Sequence, residues 1–190
     1  NFEDLGDNAK KAEELGVKLS LGDNYLKNLD VDIVFRTPGM KYYMDELVEM
    51  RSRGVVVTSE MELFFELADC HIIAVTGSDG KTTTTSIVSE FLKAAGKKVF
   101  LGGNIGKPLL PEIESITKDD YAVVELSSFQ LISMKESPEI AIVTNVSPNH
   151  LDIHKDMQEY VDAKKNILLH QNAFSKTVLN LDNEISNSFS

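Results

Sequence analysis

Apolar residues along this chain fall into two alternating patterns, short solid runs and longer stretches with a single apolar face, and the alternation predicts the architecture. Asn8 to Leu15 has helical spacing and leads to Val17-Lys18-Leu19, a predicted short strand. Asp32-Ile33-Val34-Phe35 reads as a second strand and runs into Arg36-Thr37-Pro38-Gly39, where Pro and Gly suit the two central positions of a tight turn. Tyr43 to Arg53 reads as a helix closed by Gly54, followed by Val55-Val56-Val57 as a strand. Ser59 opens another helix, with Glu62 completing a capping box and Met61, Phe64, Phe65 and Ala68 as its apolar face. Beyond a boundary placed near Asp69-Cys70, predicted strands cover residues 72–76, 98–101, 121–125, 140–144 and 177–180, with a helix over 157–170. Strands alternating with helices imply a parallel-sheet α/β class, with one unit over 1–69 and a second over 70–190.

The junction between the strand at 72–76 and the next helix carries the first chemistry. Gly77-Ser78-Asp79-Gly80 forms a tight turn before Lys81-Thr82-Thr83, and Ile87, Val88, Phe91, Leu92 and Ala95 then give the helix one apolar face. Strand, Gly-rich turn and helix make a phosphate cradle. Free N–H groups and the positive end of the helix dipole face the anion, Lys81 adds a charge, and the Thr82 hydroxyl is placed for a phosphate-bound magnesium. The strict P-loop spacing wants a further glycine where Val75 stands, so this is a shorter variant, Gly-x-x-Gly-Lys-Thr.

In open α/β sheets ligands gather at the carboxyl ends of strands. Two more predicted strands end on polar residues there, at Glu125-Leu126-Ser127-Ser128 and near Asn149-His150. Glu125 suits a magnesium ligand opposite Thr82, or else a carboxylate facing solvent. His150 reads as a neighbour of metal or phosphate, or as an ordinary loop histidine; with Asp152 and His154 it has a zinc-like spacing that lacks further strong ligands. On the helix from Met157, Lys164 falls within the apolar stripe of Met157, Tyr160, Val161, Ile167 and Leu168, while Lys165 turns away. Such a lysine either snorkels to solvent or is buried, and a buried one pairs with an anion or loses its proton. The resulting neutral amine can add carbon dioxide to give a carbamate, an oxygen ligand for a second magnesium.

Composition narrows the partners. A formal charge of −11 over 190 residues excludes wholesale binding to nucleic acid or to an anionic membrane, so a phosphate site must be a local positive spot. One cysteine excludes an internal disulfide and fits a reducing cytoplasmic setting. No apolar run reaches the length of a membrane span, and the start at Asn1 rather than Met predicts that earlier residues are missing.

Five motifs occur in order: Gly77-Ser-Asp-Gly-Lys-Thr-Thr, Gly102-Gly-Asn-Ile-Gly, Glu125-Leu-Ser-Ser-Phe-Gln-Leu, Asn145-Val-Ser-Pro-Asn-His-Leu-Asp and Tyr160-x-x-Ala-Lys164. Together they resemble the Mur ligases, and the second and third motifs resemble the D-glutamate-adding branch. Arg36-Thr37-Pro38-Gly39 and Thr58-Ser59-Glu60-Met61-Glu62 fit the same family's first domain. The resemblance implies a truncated Rossmann-like domain over 1–69 that binds a UDP-linked substrate, and a partial central ATP-binding domain over 70–190. It implies ATP and two magnesium ions, with D-glutamate and UDP-N-acetylmuramoyl-L-alanine as small-molecule substrates of a cytoplasmic monomer in peptidoglycan synthesis. By the same resemblance, Gly77, Ser78, Asp79, Gly80, Lys81, Thr82 and Thr83 bind ATP, and Thr82, Glu125, His150 and carbamylated Lys164 hold metal. Lys81, His150 and Lys164 are the implied catalytic residues, while Thr37, Gly39, Asn104 and Ser127 hold the nucleotide-sugar. A family member also carries an amino-acid-presenting C-terminal domain, which predicts that these residues are a fragment, inactive alone. Another amide-forming ligase of the superfamily, or a nucleotide-binding module that ligates nothing, are the competing expectations.

Overall fold

A computed structural model describes residues 6–148 and 154–190. Five parallel strands form the larger sheet: β3 (His71–Thr76), β4 (Val99–Gly103), β5 (Tyr121–Glu125), β6 (Ile140–Val143) and β7 (Lys176–Leu179), in the order β4-β5-β3-β6-β7. The central strands are the apolar runs, and Ile72 to Val75 with Ala122 to Val124 are buried, as strands covered on both faces require. Two shorter strands, β1 (Ile33–Phe35) and β2 (Val56–Thr58), pair in parallel as a separate ribbon. The expected parallel α/β class is therefore observed.

Register explains why the chemistry converges. Glu125 lies opposite Val75 of β3 on one side and Gly103 of β4 on the other, and Thr76 lies opposite Val143 of β6. The carboxyl ends of four strands therefore finish almost level. β3, central in the sheet, delivers the Gly77–Thr83 loop there and α4 (Lys81–Ala94) after it.

The other main helices are α1 (Asp7–Glu14), α2 (Asp45–Ser52), α3 (Glu60–Leu67) and α6 (Met157–Leu169), with short helices α5 (Ser128–Leu131) and α7 (Glu184–Asn187). On α3, Ser59 caps the Glu62 amide as expected, and Met61, Phe64 and Phe65 join the core cluster of the larger sheet. The Glu60 carboxylate accepts from the Leu109 and Leu110 amides, both at 2.8 Å, and so caps a 3-10 helix over Leu110–Ser115. No helix among the described residues is long and apolar enough to cross a membrane.

Two expectations need correction. Residues 17–19 form no strand, because the Val17 amide donates to Ala12 O at 2.8 Å and is spent closing α1 beside the left-handed Gly16. On α4 the buried residues are the small Thr85 and Ser89, whereas Ile87 and Phe91 are 47% and 72% exposed. The loop fixes how α4 is rotated, and small side chains permit its close approach to β3, β4 and β5.

Candidate active site

The Gly77–Thr83 loop is braced from the residues that follow β6. Ser78 N donates to Asn145 O at 2.9 Å, and Asp79 N to Asn145 Oδ1 at 3.1 Å. Thr144 Oγ1 and Asn145 Nδ2 in turn donate to Asp79 O at 2.7 and 2.9 Å. The packing at Gly77 leaves no room for a side chain: φ is +149°, and a Cβ there would stand 1.9 Å from Thr144 Oγ1. Thr84 N makes an early bond of α4 to Gly80 O at 3.0 Å, and the amides ahead of it belong to the helix end that attracts anions. Lys81 Nζ folds back to donate to Ser78 O at 2.9 Å. Thr82 and Thr83 lie exposed on the first turn.

Glu125 does not face solvent. It is 1% exposed, and its two oxygens serve two different motifs: Oε2 accepts from Thr82 Oγ1 at 2.6 Å and Oε1 from Asn104 Nδ2 at 2.9 Å. Asn104 N also donates to Glu125 O at 2.8 Å, a contact that the side-chain-free Gly103 makes possible, since a Cβ there would lie 2.1 Å from the same oxygen. The glycine-rich segment at 102–106 thus aims Asn104 at the strand-end carboxylate. A hydroxyl and a carboxylate beside a helix N-terminus are hard oxygen donors of the kind that fit magnesium. Among the described residues no three His, Cys, Asp or Glu side chains cluster to hold a metal by themselves, so phosphate and water oxygens would complete its shell.

Lys164 is buried rather than snorkelling, at 2% exposure, and its Nζ donates to Gly77 O at 2.7 Å. Burial holds its pKa far below the ordinary 10.5, at about 7; Lys81 pushes the same way, while Asp79 and Glu125 oppose. One turn earlier on α6, the Tyr160 ring lies 4.7 Å from Lys164 Nζ and its hydroxyl shares a 2.9 Å hydrogen bond with Ser78 Oγ. Burial raises the Tyr160 pKa, and the Ser78 contact opposes that rise. Ser78 Oγ also accepts from Ser147 N at 2.9 Å. Spacing places Tyr160 in the apolar stripe and the Tyr160-x-x-Ala-Lys164 motif pairs it with Lys164, but neither foretells its hydroxyl contact with Ser78.

The remaining expected residues divide. Ser127 is the N-cap of α5, in a reciprocal box with Gln130, and follows Glu125 closely. Thr37 and Gly39 lie exposed in the turn closed by Met40 N to Thr37 O at 3.0 Å, and no hydrogen bond joins them to residues 77–83 among the described residues. His150 lies outside the described residues, as does Asp152 of the zinc-like spacing. His154 is buried, with ring nitrogens 2.9 Å from Ser128 Oγ and 3.1 Å from Glu159 Oε1, and stacks on Phe129.

Residues 75–190 match the family described as the Mur ligase middle domain. The chain belongs to the Mur ligase family. Among its relatives, the UDP-N-acetylmuramoylalanine–D-glutamate ligase of Acetivibrio thermocellus is 57% identical over 176 residues, covering 92% of this chain and 38% of that protein. The enzyme of the same name from Ruminiclostridium cellulolyticum is 52% identical over 188 residues, 98% of this chain and 40% of that protein. This Mur ligase chain therefore spans about two fifths of the length of the curated relatives it matches. In fold it is similar to a UDP-N-acetylmuramate:L-alanyl-γ-D-glutamyl-meso-diaminopimelate ligase from Neisseria meningitides, with a TM-score of 0.60 at 18% identity over 95% of this chain and 62% of that one. A UDP-N-acetylmuramate-alanine ligase from Thermotoga maritima gives a TM-score of 0.52 at 23% identity, over 97% of this chain and 43% of that one.

Proposed function

We propose that this chain supplies the ATP site and part of the acceptor site of a ligase that joins D-glutamate to UDP-N-acetylmuramoyl-L-alanine. The observation that carries the reading is Glu125, held between Thr82 of the phosphate loop and Asn104 of the 102–106 segment. The choice of D-glutamate is supported by relatives of that name at 57% and 52% identity. In this reading residues 1–69 belong to the UDP-substrate domain and 70–190 to the central ATP domain of a cytoplasmic monomer.

The reaction begins when an oxygen of the acceptor carboxylate attacks the γ-phosphorus and ADP leaves, giving an acyl phosphate. The D-glutamate amine then attacks the acyl carbon, phosphate departs, and the nitrogen loses a proton. The first-turn amides of α4 and Lys81 offset charge on the phosphoryl group being transferred. Lys81 does so by swinging from Ser78 O, a rotation of one flexible side chain. Thr82 and Glu125 would hold magnesium, which draws the anionic triphosphate and carboxylate together. Asn104 and Ser127 would orient the nucleotide-sugar, and Thr37 and Gly39 its diphosphate, through a hydroxyl and backbone N–H groups.

Lys164 fits one further step. Its neutral amine adds carbon dioxide, forming an N–C bond and releasing a proton, and the carbamate oxygens with His150 would serve a second magnesium. A pKa of about 7 keeps a large fraction of the amine neutral near physiological pH. The test is phosphate release from ATP by the full-length protein, given UDP-N-acetylmuramoyl-L-alanine with D-glutamate, L-alanine, L-lysine or diaminopimelate. Release that requires the nucleotide-sugar and is fastest with D-glutamate supports the reading; release indifferent to the acceptor overturns it.

A further inference from the structure

Arg36 is a buried charge that the reaction above leaves unused. It follows β1 directly, its amide donates to Thr58 O at 2.8 Å, and the residue is 3% exposed. Its Nη2 donates to the Phe129 carbonyl at 2.9 Å and to Ser133 Oγ at 2.5 Å, spanning 93 and 97 residues of sequence. Glu62 Oε2 stands 4.0 Å from the same nitrogen, and the guanidinium carbon lies 5.6 Å from the Tyr42 ring centre. Arg51 also holds that tyrosine, with Nη2 donating to Tyr42 O at 2.8 Å and its guanidinium carbon 4.2 Å from the ring centre.

A buried guanidinium is costly unless its contacts are specific. Among the described residues, Arg36 Nε and Glu62 Oε2 are buried without a hydrogen-bond partner, so the arrangement is not optimised for stability alone. What the arrangement secures is position. Arg36 immediately precedes the Thr37-Pro38-Gly39 turn, and Phe129 lies two residues beyond Ser127 and four beyond Glu125. One nitrogen of the guanidinium, Nη2, bridges the Phe129 carbonyl and the Ser133 hydroxyl, and the planar, permanently charged group is held by both.

We propose that Arg36 is a positioning residue, fixing the Thr37–Gly39 turn on the segment that follows Glu125 so that the nucleotide-sugar diphosphate and the magnesium-side carboxylate share one register. The proposal rests on the ligase reading for its kinetic consequence, but its structural half does not. A lost anchor displaces the acceptor and leaves the ATP loop untouched, because no hydrogen bond or ion pair joins Arg36 to residues 77–83 among the described residues.

The experiment uses Arg36→Met, and Arg36→Met combined with Glu62→Gln so that no unpaired carboxylate stays buried. Steady-state kinetics of the full-length protein are read beside amide hydrogen exchange at Met40, whose N–H closes the turn. The expected result is an acceptor KM raised about tenfold or more, with the KM for ATP within about twofold of the parent. Met40 exchange should be faster, while β3 and β5 amides keep their protection. Arg36→Lys should recover part of the KM change. An unchanged acceptor KM and unchanged Met40 exchange in either folded variant would overturn the proposal. If the parent protein shows no acceptor-dependent phosphate release, the ligase reading fails, and Met40 exchange alone decides whether Arg36 anchors the turn.

Discussion

The Thr82 hydroxyl donates to the Glu125 carboxylate at 2.6 Å, joining the first turn of α4 to the end of β5 across 43 residues of sequence. The bond ties the proposed phosphate loop to the carboxylate, so a change at either residue should be read at both. Glu125→Gln keeps a donor and an acceptor for Thr82 and Asn104 but removes the charge. It should weaken magnesium-ATP binding by about tenfold or more, a cost on the order of 1.4 kcal/mol, with little change in melting temperature. Thr82→Ala should weaken binding less. Calorimetric titration with magnesium-ATP, beside thermal melts, checks both.

Lys164 makes the fold sensitive to alkaline pH in a stated direction. Its folded pKa of about 7 lies below the ordinary 10.5, so between those values the unfolded chain binds the extra proton. Stability should therefore rise as pH increases from about 7 towards 10.5, and the burial penalty is felt fully below that window. Urea denaturation across the range should show the rise in the parent chain and lose most of it in Lys164→Met. A slope equal in both would separate the shift from Lys164.

Gly77 and Gly39 make opposite predictions although both sit in proposed ligand turns. A Cβ at Gly77 meets Thr144 Oγ1 at 1.9 Å with φ at +149°, whereas at Gly39 it meets nothing within 4 Å. Gly77→Ala should cost about 2 kcal/mol or more and disorder the loop. Gly39→Ala should leave stability within about 0.5 kcal/mol. Denaturation midpoints of the two variants give the comparison.

What the chain disclosed before its structure depended on how local the cause was. β3 and β5 were legible because strands buried on both faces must be solid apolar runs. The place of Lys164 in the apolar stripe of α6 was legible from helical spacing, but spacing left a snorkelling head group open and only the structure shows its burial. The rotation of α4 was not, since the loop that starts the helix sets its azimuth and turns Phe91 outward. Val17 looked like a strand residue, yet its amide was already committed to closing α1. Arg36 was unreadable for a third reason: both its acceptors lie more than ninety residues away, and no spacing rule reaches that far. The short helix α5 did carry a signal in Ser127 and Gln130, the same capping logic that identified α3.

The central claim is that the Gly77–Thr83 loop and Glu125 form one magnesium-triphosphate site, on which Asn104 reports through its hydrogen bond to Glu125. Titrating the isotope-labelled chain with ATP, with and without magnesium, and following backbone amides by NMR tests it most directly. The account predicts that Gly77–Thr83, Asn104 and Glu125 shift together, saturate at one ATP concentration and lose the Asn104 and Glu125 responses when magnesium is withheld. Shifts confined to the loop, with Asn104 and Glu125 indifferent to magnesium, would contradict it.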